Sequence, residues 1–171
     1  MKSVRSRSTG RTVAQLLLRG TVGGTMIAHG LKHGRSIDGT AGWFGSIGFK
    51  QPVRQAQASA VVEVGAGAAL IAGAATPLSA AAVVGTMGVA ARSVHLPNGF
   101  FITAEGWEYV MNLAAGAVAL AAIGPGKYSV DHALGWDRKL SGGTAAAVAA
   151  GFGLASAGGQ LAAFYRPTST D

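Results

Sequence analysis

The stretch LSAAAVVGTMGVAARSVHL, residues 78–96, carries one permanent charge, Arg92, in a run of Ala, Val, Gly and small polar residues, and Pro-Asn-Gly follows it. Coiled as a helix at about 1.5 Å per residue, a run of about 19 residues matches a hydrocarbon core of about 30 Å. Residues 13–31, 56–75, 106–124 and 144–165 form four more runs of the same kind. None carries the polar stripe that a helix of a soluble bundle turns to water. Only 12% of the 171 residues are charged and 49% are hydrophobic, against about a quarter charged in an average soluble domain. The composition therefore predicts an all-α membrane protein with five spanning helices, the fifth rich in Ala and Gly.

Breakers between the runs set the connections. Thr76-Pro77 leaves almost no loop, so the second and third runs should form an antiparallel hairpin. Pro97-Asn98-Gly99 ends the third run and Gly124-Pro125-Gly126 the fourth. Residues 32–51 are Gly-rich and hold Trp43, Phe44 and Phe49, which suits a segment folded back onto the membrane interface. Nothing else divides the chain, so it reads as a basic N-terminus over 1–12, a membrane bundle over 13–141, and an added helix and tail over 142–171.

The net charge of +7 is a matter of topology. Lys2, Arg5, Arg7, Arg11, Lys127, Arg138 and Lys139 fall on one side, and Lys32, Arg35, Lys50, Arg54, Arg92 and Arg166 on the other. The basic cluster before the first run tips the balance to a cytoplasmic N-terminus, an uncleaved first anchor and an outer C-terminus. No basic stripe interleaved with aromatics suggests nucleic acid. The chain has no cysteine, so thiolate metal sites and cysteine redox chemistry are excluded, and any redox chemistry must come from a ligand or partner.

Ionisable groups at membrane depth are costly, so they pair or line cavities and tend to mark function. Counting helix rise puts Glu63 and Arg92 at the same height on the predicted hairpin, which predicts a Glu63–Arg92 ion pair, either structural or part of a site. Arg19 sits lower, and reach upward to Glu63 or downward to the headgroups both stay open. Beyond the break at 97–99, Phe100, Phe101, Trp107 and Tyr109 can form an interfacial aromatic belt. Glu105 and Glu108 open the fourth run, where a helix N-terminus favours carboxylates. With Arg92 and His95 they form a candidate pocket for a ligand at the outer membrane edge. His29 and His33 share a helix face, but without a third ligand at fixed spacing they define no metal site.

The fifth run repeats small residues every fourth position, at Ala147, Gly151, Ala155, Gly159 and Ala163, as do Gly20 and Gly24, and Gly65, Ala69 and Gly73. Such faces let helices approach closely in lipid.

Several of these residues recur in a known pattern. Arg19-Gly20, His29-Gly30 and Lys32, then Glu63, HLPNGFF at 95–101, Glu108, and GPGKYSVD at 124–131 together resemble the DoxX family of small bacterial membrane proteins. The resemblance implies a four-helix transmembrane bundle in the bacterial inner membrane, to which this chain adds a fifth helix. Relatives of that family include a subunit of a thiosulfate:quinone oxidoreductase and a protein linked to a membrane oxidoreductase complex with a superoxide dismutase and a sulfurtransferase. For this chain the resemblance implies an accessory subunit of a redox complex serving quinone or sulfur metabolism or oxidative stress, with no redox centre of its own. A quinone or small sulfur anion would bind at the cluster of Glu63, Arg92, His95, Glu105 and Glu108, with Arg92 and His95 contacting its oxygen atoms and Glu63 or Glu108 exchanging protons, and with Arg19, His29 and Lys32 as secondary candidates. The other reading is a non-catalytic assembly protein that packs against partner helices or a second copy of itself.

Overall fold

The fold is known from a computed structural model, which describes residues 2–167, with side chains from residue 9 onward. The side chains of Lys2, Arg5 and Arg7, and Asp171, on which the expected topology partly rests, lie outside the described residues. The seven α-helices are α1 (Lys2–Arg35), α2 (Ile37–Ser46), α3 (Pro52–Ala72), α4 (Thr76–Ala90), α5 (Glu108–Ile123), α6 (Val130–Ala133) and α7 (Gly142–Phe164). Each of the five apolar runs lies largely in one of the long helices α1, α3, α4, α5 and α7. Among the described residues, α4 with its continuation (Thr76–Asn98) and α7 are long and apolar enough to cross a membrane by length and composition, and α5 is apolar but shorter.

Helices α1, α3, α4 and α5 pack in a ring, each against the next, and α7 lies outside it against α4 and α5. Met26, Leu70, Val83 and Leu120, one from each helix of the ring, are fully buried in its core. The turn between α3 and α4 is as tight as Thr76-Pro77 predicts. Gly73 closes α3 at φ 64°, a left-handed cap that glycine adopts without strain, and Pro77 sits in the first turn of α4. Residues 37–46, expected as interfacial loop, form the separate helix α2, which packs on α3 with Trp43 exposed. The third run continues beyond Ala90 as a π-helical turn at Ala91–His95 before the break.

Close approach by small residues is present, but on other faces than the spacing suggested. On α7 the buried positions are Ala145, Ala149, Gly153 and Ala157. All of Ala147, Gly151, Ala155, Gly159 and Ala163 point outward. The reason lies in α4: a Cβ at Gly153 would stand 2.8 Å from the Ala81 carbonyl oxygen, and one at Gly88 3.0 Å from Ala157. Likewise α1 meets α3 through Gly23, Gly30 and Gly67, while Gly20, Gly24 and Gly65 face open space. Replacing Gly153 with Leu is therefore expected to destabilise the fold by about 3 kcal/mol, and Gly151→Leu by no more than about 0.5 kcal/mol. Thermal unfolding of the two variants in one detergent checks this, and equal losses would contradict the assigned face.

The polar residues in the N-terminal half of α1 tie helix ends together. Gln15 donates to the carbonyls of Ile123 (3.1 Å) and Gly124 (3.0 Å) at the end of α5. Arg11 donates to Ile123 as well. Arg19 neither reaches Glu63 nor snorkels. Its buried guanidinium donates to the carbonyls of Leu70 (3.2 Å) and Ile71 (3.1 Å) at the end of α3, and of Pro125 (3.1 Å) and Tyr128 (2.6 Å) in the loop after α5. A cation suits these carbonyls, since a helix C-terminus carries partial negative charge.

Candidate functional site

Glu63 lies on α3 and is only 3% exposed. Ser59, one turn earlier on the same face, donates to Glu63 Oε1. From α1, His33 Nδ1 lies 3.0 Å from Ser59 Oγ and 3.2 Å from Glu63 Oε1. The three groups form a relay in which a proton on His33 Nδ1 can pass through the serine hydroxyl to the carboxylate. Among the described residues, Glu63 Oε2 is buried without a hydrogen-bond partner. A buried carboxylate oxygen left unpaired is expensive, which is the kind of cost a functional site carries.

Three further rings extend the cluster. His29, one turn before His33 and 6.4 Å from it, stacks on Tyr109 of α5 with centroids 5.8 Å apart and an angle of 17°. His95 meets Tyr109 edge-on at 5.7 Å. His95 Nδ1 lies 2.6 Å from the Glu105 carbonyl oxygen, so the neutral ring holds its proton on Nδ1 and presents Nε2. The cluster thus draws on α1, α3 and α5 and on the π-helical turn after α4, a feature often found at functional sites. It includes Ser59, Tyr109 and His33, which the sequence reading left out of its site. The signal for Ser59 and His33 was the pairing of two i, i+4 sets, His29/His33 and Ser59/Glu63, on adjacent antiparallel helices.

The predicted Glu63–Arg92 pair does not form. Glu63 turns toward α1, while the exposed Arg92 places its guanidinium 5.8 Å over the ring of Tyr165, beyond the end of α7. Helix rise fixed the height of each residue but not the direction in which it points.

Among the described residues, no hydrogen bond or ion pair joins any two side chains of Arg92, His95, Glu105 and Glu108. Glu105 precedes α5 and is exposed, with φ 59°; its carbonyl, not its carboxylate, meets His95. Glu108 begins α5 and accepts from the Ile102 backbone N–H at 3.0 Å, fastening the loop before α5. Lys32 is exposed. Of the candidate residues, Glu63, His29 and His95 lie in one polar centre and the others border it or stand apart. No group of three metal-ligating side chains occurs among the described residues.

Fold and site together define a small helical bundle with a centre made of a buried acid, half-buried histidines and a tyrosine. Residues 14–96 match the family model DoxX, so over that stretch the chain is similar to the DoxX family of membrane proteins. The match takes in α1 to α4 with Arg19, His29, His33, Ser59, Glu63 and His95, and stops short of Tyr109 and the 124–131 motif. No curated protein and no solved structure matches the chain.

Proposed function

We propose that this protein is a multi-pass accessory subunit of a redox complex in the bacterial inner membrane, with its N-terminus in the cytoplasm. It binds the uncharged head of a quinone-type carrier at the outer end of the bundle and exchanges protons with it through Glu63. The observation that carries this reading is the buried Glu63, with one oxygen bound to Ser59 and His33 and the other unpartnered.

The chemistry of the donors favours a neutral ligand over a sulfur anion. A buried carboxylate repels anions, the guanidinium of Arg92 lies over Tyr165 and Lys32 is exposed, so neither cation pairs with the centre. The rings of His29, Tyr109 and His95 give a flat head surfaces to stack on and polar atoms to bond. A bound quinone would supply the two-electron chemistry, its electrons coming from a redox partner protein, because the chain has no cysteine and brings no redox centre in its sequence. The residues of this chain hold the head, shield it from water and move protons between Glu63 Oε1, Ser59 Oγ and His33 Nδ1.

A second reading, an assembly protein that packs against partner helices, is favoured by one observation: the small-residue stripe of α7 that faces outward. Purification from native membrane with lipid extraction separates the two. Quinone retained by wild type and lost from His29→Ala supports the redox reading. A co-purifying membrane complex without quinone supports assembly and overturns it.

A further inference from the structure

We propose that the seam between α1 and α5 is a lateral doorway through which the ligand enters from the outer leaflet of the bilayer, with Asn112 and Thr25 holding its head on the way to Tyr109. This rests on the function proposed above and deepens it by making the ligand a membrane-dissolved molecule and by fixing its route.

The seam contains a groove of about 350 Å³, at the lower end of the size of small-molecule sites. Leu18, Val22 and Leu113 give it apolar walls, and at Gly116 the two helices approach closely, since a Cβ there would come within 3.2 Å of Val22. Along this groove, which Thr21 and Glu108 also line, stand the amide of Asn112 and the hydroxyl of Thr25. Neither makes a hydrogen bond within the described chain, whereas Thr21 beside them is satisfied by the Leu17 carbonyl at 2.8 Å. Asn112 lies one helical turn, about 6 Å, inward from Glu108. An amide on that surface faces hydrocarbon, where an unsatisfied polar group is costly, so it calls for a partner arriving from the lipid.

The shape of the groove names the direction. Ile102 of the outer loop caps its outer end, and its backbone is held by Glu108, so water meets an apolar residue there. Tyr109 lines the groove and also stacks on His29, which joins the lipid-facing notch to the Glu63 centre. An uncharged head with oxygens that can accept from Asn112 and Thr25 fits this row. A charged ligand would have to cross hydrocarbon to reach it.

The test uses the full chain in lipid nanodiscs titrated with a short-tailed benzoquinone, with binding measured by calorimetry. Asn112→Leu combined with Thr25→Val should weaken binding about tenfold or more. Asn112→Gln, which keeps the amide, should lose less. Thr25→Val alone, nearly isosteric, gives a folded variant if the double substitution lowers the unfolding temperature, and it should still weaken binding measurably. Unchanged binding in both variants, with loss in His29→Ala, overturns the doorway while the quinone site stands. No binding to the wild-type chain overturns both.

Discussion

Replacing Asp131 with alanine is expected to destabilise the protein by about 3–5 kcal/mol, the scale set by stranding several donors that a buried carboxylate satisfies. Asp131 is 2% exposed and sits at the start of α6, in the GPGKYSVD segment. Its carboxylate accepts from the Ala75 N–H at 2.6 Å, the Thr76 N–H at 2.8 Å and the Thr76 hydroxyl at 2.7 Å. It thereby caps α4, where the helix dipole favours negative charge, and holds Ala75 at the unusual φ of 45°. Its own N–H donates to the Gly73 carbonyl at 3.0 Å. Alanine would strand these donors in the interior, and the nearby buried Arg19 would lose the charge it faces. Thermal unfolding in detergent measures the loss. An Arg19→Gln, Asp131→Ala double variant should lose less than the two single losses added, because the two charges attract each other and hold the same chain turns. A loss within about 0.5 kcal/mol for Asp131→Ala would mean that the turn is held by packing alone.

Glu63→Gln should have the opposite profile, leaving the fold intact and removing the chemistry. Glutamine keeps the size of the side chain and can still accept from Ser59, but it cannot take or release a proton. Loss of a positioned acid–base group typically slows proton-coupled turnover by about 10²–10⁴-fold. Quinone-linked electron transfer by membranes carrying the variant should fall into that range, while insertion and yield stay at the wild-type level. Wild-type rates in Glu63→Gln would make the acid a packing element and favour the assembly reading.

Each feature was legible in the sequence to the extent that its information is local. The five apolar runs, the hairpin at Thr76-Pro77 and the break at 97–99 are local patterns, and the helices obey them. Glu63 stood out because an acid in an apolar run must be explained. Its partner was missed because height along a helix says nothing of azimuth: Arg92, at the right height, turns to Tyr165, and His33 from α1 fills the place. The small-residue faces failed for a related reason. In a helix as rich in Ala and Gly as α7, both 145/149/153/157 and 147/151/155/159/163 are spaced by four, and the close approach of Ala81, Val84, Gly85 and Gly88 of α4 chooses between them. Arg19 binds backbone carbonyls, which no side-chain pattern announces. Tyr109 was placed in an aromatic belt, where its stacking on His29 across the bundle could not be seen.

The central claim, that Glu63 is the proton-exchanging group of a ligand site, is tested most directly by infrared difference spectroscopy of the full chain in lipid with a short-tailed benzoquinone, oxidised against reduced. The expected result is a carboxyl carbonyl band that changes with the state of the quinone, disappears in Glu63→Gln and shifts in His33→Ala. A difference spectrum with no carboxyl band, or one that Glu63→Gln leaves unchanged, would contradict it.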